Sequence, residues 1–110
     1  MTASELPGDE LVQVLGTLAN PHRLRVLAVL AAGRNYVSQL ARELGISRAL
    51  LQVHLRKLEA AGLVTAHLEL SADGKALKFY EVTPLDLHLT PEVIMIAART
   101  LSPSEKRVEE

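Results

Sequence analysis

The sequence predicts a mainly α-helical domain with one small β-hairpin, about five helices and a two-stranded wing. Three observations carry that reading. The apolar content is Leu, Ala and Val, with only 3% aromatic residues, which favours helix over sheet. Leucines recur at helical spacing from the N-terminal region to Ala60. Beyond Gly62 the period changes to two, around an Asp73-Gly74 turn.

The elements follow in order. Residues 1–8 offer nothing to hold them and are expected to be frayed. From about Asp9 to Leu18 a helix is expected, with Leu11, Val14, Leu15 and Leu18 on one stripe. Asp9 and Glu10 favour its N-terminus through the helix dipole. Asn20-Pro21 is a sharp start for the next helix: Asn caps and Pro suits the first helical position. That helix runs to about Ala32 with Leu24, Leu27 and Leu30 facing inward, and Gly33 ends it. Arg34-Asn35-Tyr36 is read as a loop, with Tyr36 against either core or phosphate.

Val37 to Val64 is the centre of the chain. Leu40, Ala41 and Leu44 form one face of a short helix, and Gly45 follows as a residue that tolerates the left-handed conformation. Ser47 has a side-chain oxygen able to cap a second helix, expected from Arg48 to Ala60. At about 100° per residue, Leu51, Leu55 and Leu58 fall within one narrow arc, with Leu50 and His54 at its margin. The opposite arc holds Arg48, Ala49, Gln52, Val53, Arg56, Lys57 and Glu59. A short helix, a glycine turn and a second helix make a helix-turn-helix. Arg pairs with guanine edges, Gln with adenine, and small apolar groups touch a thymine methyl, so such a face suits a major groove. On its own, a basic face on a surface helix is more often only solvated.

Val64, Ala66, Leu68 and Leu70 alternate with Thr65, His67 and Glu69, predicting a strand with one wet face. A second strand, Leu77 to Val82, sets Leu77, Phe79 and Glu81 on one face and Lys78, Tyr80 and Val82 on the other. Lys75 and Lys78 stand at the tip and shank of this wing, residues 70–80, as candidate phosphate contacts; hairpin lysines also keep sheet edges soluble. Thr90-Pro91-Glu92 starts a last helix, in which Val93, Ile94, Met95, Ile96, Ala97 and Ala98 are apolar nearly all round. So small a chain has little core left to cover it, so a second copy is the expected cover, assisted by the first helix. Leu11, Val14, Val93, Ile94, Ile96 and Ala97 are the candidate dimerisation residues.

The domains expected are a flexible N-terminus (1–8), a winged helix-turn-helix (9–83), a connector with a dimerisation helix (84–101) and a flexible charged tail (102–110). The net charge of −1 is unevenly spread. Residues 22–78 hold nine Lys/Arg against four Asp/Glu, a surplus of +5, and the remaining residues sum to −6. A basic middle between acidic ends suits docking on phosphates. There is no Cys, hence no disulfide frame, thiolate metal site or Cys nucleophile. No apolar run approaches bilayer length and no signal peptide is visible, so a cytoplasmic location is expected. No Ser/His/Asp grouping or Gly-rich phosphate loop points to an enzyme.

The chain resembles the ArsR-type winged helix-turn-helix regulators over roughly residues 10–83. The match is carried by Asn20 through Leu27, Gln39 through Ser47, His54 through Val64 and Lys78 through Val82. The resemblance implies a homodimer that binds double-stranded operator DNA and represses transcription. It places Arg48, Ala49, Gln52, Val53 and Arg56 at recognition-helix positions; Ser38, Ser47 and Lys57 join them, with Lys75 and Lys78, as candidate DNA contacts. His54 also matches a common family His, and its place on the inner margin favours a packed, hydrogen-bonded role over a base contact. Many family members sense metal, but here the thiolate motif is absent. Asp86-Leu87-His88 mimics the start of a second family site, yet Arg99 stands where a partner His belongs. No metal or cofactor is therefore expected. The competing reading is a winged-helix protein–protein interaction module without specific DNA readout.

Overall fold

The computed structural model describes residues 1–103. Its helices are α1 (Gly8–Leu18), α2 (Pro21–Ala32), α3 (Val37–Leu44), α4 (Arg48–Ala60) and α5 (Pro91–Ala98). Its strands are β1 (Asn35–Tyr36), β2 (Val64–Leu70) and β3 (Ala76–Val82), in one antiparallel sheet of order β1-β3-β2. Most of the expected tail, residues 104–110, lies outside the described residues.

Local chemistry sets the helix starts. Asn20 Oδ1 accepts from Arg23 N (3.1 Å), Ser47 Oγ from Leu50 N (3.1 Å) and Thr90 Oγ1 from Val93 N (3.1 Å). Each satisfies a donor that the first turn leaves free. Gly45 ends α3 at φ 68°, where a side chain would be strained, so the chain can turn at once into α4.

The core gathers Val26, Leu27 and Leu30 of α2, Leu40 and Ala41 of α3, Leu51, Leu55 and Leu58 of α4, then Leu63, Val64 and Tyr80. The expected arc of α4 is therefore its buried face. For α2 the expectation needs correction: Leu24 is 53% exposed and Val26 is fully buried. The inward stripe is rotated because α1, α3, α4 and β3 all pack on this helix.

Three further differences concern segments read as loose or as single-faced. Arg34-Asn35-Tyr36 is not wholly a loop, since Asn35 and Tyr36 pair with Tyr80 and Phe79 as a third strand. Asn35 is buried and satisfied, donating from Nδ2 to Glu43 (3.0 Å) and accepting from Tyr36 N (2.8 Å). Tyr36 packs edge-on against Phe79 at 5.6 Å between centroids. Residues 1–8, expected to be frayed, are tied down: Asp86 N donates to Met1 O (2.8 Å), Ala3 is buried, and Ala3–Glu5 forms a short 3-10 helix. Finally, the inward face of the wing is inward only near its base. Val64 is buried, but Leu68 and Leu70 are 69% and 78% exposed.

Helix α5 stops at Ala98, short of the expected end near residue 101. Thr100 Oγ1 donates to Ala97 O (2.9 Å) and accepts from Gly8 N (2.6 Å), tying this end to the start of α1. Ser102 N adds a bond to Asp9 (3.0 Å), and the Ser102 hydroxyl also donates to that carboxylate, holding Asp9 below the usual carboxylate pKa range.

A candidate nucleic-acid interface on the fourth helix

The site is built on α4. Leu51, Leu55 and Leu58 are completely buried, and this fixes which arc of the helix faces out. Arg48, Ala49, Val53, Arg56 and Lys57 are exposed and Gln52 half-buried. The ion pairs of the described residues lie elsewhere, among Arg34, His67, Glu69 and Glu81. An open depression between α3 and α4 brings Ser38 and Arg48 together with Arg42, Ala41, Gly45 and Ile46. Arg42 was missed by sequence reasoning. It stands one helical turn beyond Ser38, so the i, i+4 spacing was the available signal.

Lys57 is set apart from the rest of this arc. It lines a depression on the α1 side of the helix with Val12, Gln13, Gly16, Thr17, Arg23 and Ala60. Lys75 and Lys78 are exposed on the hairpin, Lys75 in the turn and Lys78 on β3, with Nζ of Lys78 5.6 Å from the Tyr80 ring centroid.

His54 is 6% exposed and serves packing rather than the outer face. Arg23 Nη1 lies 3.3 Å from its Nδ1; a guanidinium only donates, so Nδ1 accepts and Nε2 carries the proton. Nε2 is buried without a hydrogen-bond partner among the described residues. Burial, then the Arg23 charge, pushes the His54 pKa below its ordinary value. Arg23 is itself anchored through Nε to Thr17 O (2.6 Å), so the Arg23–His54 pair ties α4 to the α1–α2 junction.

The candidate dimerisation residues divide. Leu11, Val14 and Ala97 are buried within the protomer, Leu11 and Ala97 forming the floor of an apolar groove between α1 and α5; Val93 is half-buried against Leu11, Ala3 and Ala97. The uncovered apolar surface comprises Ile94, Met95 and Ile96, at 51%, 59% and 59% exposure, with Val12, Leu15, Leu89 and Leu101. Several of these line the same groove.

Comparison with known proteins places the whole. The family "Bacterial regulatory protein, arsR family" matches residues 20–66, from the cap of α2 through the start of β2. An uncharacterized HTH-type transcriptional regulator of Methanocaldococcus jannaschii is 33% identical over 85 residues, covering 77% of this chain and 88% of that protein. The chain belongs to the ArsR family. Solved structures agree with this ArsR assignment. A homodimeric winged helix-turn-helix DNA-binding domain from Mycobacterium bovis, a possible ArsR-family regulator, has 26% identity and a TM-score of 0.61, covering 83% of this chain and 74% of that one. HlyU from Vibrio cholerae has 26% identity and a TM-score of 0.59, covering 83% and 84%.

Asp86 and His88 are exposed on the connector, and among the described residues no group of three His, Asp or Glu converges as a metal site would need. Among the same residues no helix is long and apolar enough to cross a membrane.

Proposed function

We propose that this ArsR-family chain is a homodimeric, sequence-specific double-stranded DNA-binding regulator that represses transcription by occupying its operator, acting in the cytoplasm and without catalytic activity. One observation carries the reading: on α4, Arg48 and Arg56 are exposed with Gln52 half-buried between them, while the leucines behind them are sealed in the core. A helix held in this way offers bidentate donors to base edges in a major groove, and Ser38, Arg42, Ser47 and the wing lysines contact backbone phosphates beside it. The M. bovis relative, described as a homodimeric DNA-binding domain, supports the same assembly. The uncovered α1–α5 surface supplies its seam, so that two α4 helices meet successive major grooves about one helical turn apart.

The test is selection of fragments from the source genome, followed by binding titrations across salt concentration. Affinity should fall steeply with salt as counterions are released. Gln52→Ala or Arg56→Ala should each remove about 1–3 kcal/mol of discrimination at one operator position. Variants that bind the same operator with unchanged preference would overturn the assigned face. No binding to any duplex at low salt would favour the interaction-module reading instead.

A further inference from the structure

The depression on the α1 side of α4 has no part in the outward arc that reads DNA. Helices α1 and α4 each pack on α2, and between them lies an open hollow of about 300 Å³. Gln13 Nε2 links the two helices by donating to Ala60 O (3.3 Å). Lys57 of α4 and Arg23 of α2 line the hollow, with Val12, Gly16, Thr17 and Ala60 among its walls. Two cations thus share one concavity, and among the described residues no acid lines it. The ion pairs of the described residues engage neither cation. Like charges side by side cost Coulomb energy, which an anion between them turns into a gain.

Arg23 is already fixed in place. Its Nε donates to Thr17 O (2.6 Å) and its Nη1 lies 3.3 Å from His54 Nδ1. Other N–H groups of the guanidinium have no partner among the described residues. A side chain held in this way loses little freedom on taking an anion. The positive field also reaches His54. Burial first, then the charges of Arg23, His22 and Lys57, push its pKa down, so each group whose charge acts on it is basic. Lys57 lies five residues past Gln52, about 140° around the helix at roughly 100° per residue. The hollow that holds Ser38, Arg42 and Arg48 is on the α3 side of α4 instead.

Size and lining set the class of ligand. The volume is at the lower end of ligand pockets, which run from about 300 to 1,000 Å³. Val12, Gly16 and Ala60 give an apolar wall beside the cations. An ammonium and a guanidinium select oxyanions, and the guanidinium fork fits carboxylate and phosphate alike. We propose that the α1–α4 depression binds a small oxyanion, a phosphate ester or a carboxylate with a short apolar body, between Lys57 and Arg23. The site stands whether or not the outward arc of α4 reads DNA.

The experiment titrates the full chain, without DNA, with sodium phosphate and with sodium butyrate, each against sodium chloride at equal ionic strength. Amide nuclear magnetic resonance locates the response. Phosphate or butyrate should give saturable shifts at Gly16, Thr17, Lys57 and Ala60, and chloride should not. Saturation by phosphate alone identifies a phosphate ester and by butyrate alone a carboxylate; either supports the site. Lys57→Gln should weaken binding about tenfold, the loss of one charge-assisted hydrogen bond. Lys78→Gln, which removes a lysine from the wing, should leave it unchanged. Gly16→Asp sets a carboxylate in the hollow, where a side chain meets nothing within 4 Å, and should abolish binding. Gly16 and Lys57 are both exposed, so thermal melts should show both variants folded. Shifts that rise linearly with every salt, or that Lys57→Gln and Lys78→Gln reduce alike, would overturn the proposal and leave the DNA-binding reading standing. So would a folded Gly16→Asp variant that binds as the unaltered protein does. A chain that binds no duplex but keeps the saturable shifts would overturn the DNA-binding reading alone.

Discussion

Gly8→Ala separates local helix propensity from tertiary packing. Gly8 is the first residue of α1, and by propensity alone Ala should stabilise a helix by about 0.5–1 kcal/mol, with less at a first position. The packing argues the other way. A Cβ on Gly8 would lie 2.2 Å from the carbonyl oxygen of Ala97 and 2.9 Å from two Leu101 side-chain atoms. An ordinary carbon–oxygen contact is about 3.3–3.6 Å. The Leu101 side chain can move, but the Ala97 oxygen belongs to the α5 backbone, so the helix must retreat by about 1 Å. That retreat also strains the Gly8–Thr100 and Asp9–Ser102 hydrogen bonds. Overpacking of this kind costs about 1–3 kcal/mol, which exceeds the propensity gain. A net loss of about 1–2 kcal/mol lowers the melting temperature by roughly 5–10 °C. Gly16→Ala is the control, because the same helix offers open space there; it should raise stability by up to about 1 kcal/mol. Thermal melts by circular dichroism, at matched protein concentration, decide the matter. If Gly8→Ala stabilises as much as Gly16→Ala does, the docking of α1 on α5 described above is wrong.

Other substitutions probe the remaining parts of the argument. Ile96→Glu places a charge on the exposed apolar face of α5; sedimentation equilibrium should show weakened self-association with the far-ultraviolet spectrum unchanged, and an unaffected dimer would remove α5 from the seam. His54 titrates below its unfolded value, so as pH falls below about 6.5 the unfolded chain binds a proton that the folded chain refuses, and stability drops until the folded pKa is passed. His54→Asn keeps an acceptor for Arg23 but cannot titrate; denaturant midpoints across pH should show a flatter acid limb, whereas an unchanged limb would exonerate His54. Ser47→Ala removes the cap of α4 and should cost about 1 kcal/mol in urea titrations, with operator affinity falling as the first turn of the reading helix frays.

Much of this molecule was legible before its fold. Asn20-Pro21, Ser47 and Thr90-Pro91 mark helix starts because a cap acts on donors two or three residues away, and no distant residue is needed to read it. The leucine arc of α4 was equally plain, since a helix whose three leucines share one side must turn its basic side outward. The candidate contacts on α4 followed from that arc, while Lys57, at its edge, needed α1 in place before its separate setting could be seen.

Other features depended on what arrives from elsewhere in the chain. The inward stripe of α2 runs through Val26 rather than Leu24, because that side is set by the elements that pack on it, α1, α3, α4 and β3. Leu11 and Val14 look like partner-facing residues until α5 and the core bury them within the protomer. Leu68 and Leu70 continue a perfect alternation whose base is buried at Val64, but nothing among the described residues covers its outer end. By itself the sequence determined the type and approximate start of the five α-helices and the wing hairpin and which of their residues share a side, because capping and periodicity are short-range, while β1 and the N-terminal 3-10 helix needed distant partners to appear. Only the tertiary structure decided which of those sides is covered, because burial belongs to a pair of surfaces and a single segment carries only one of them.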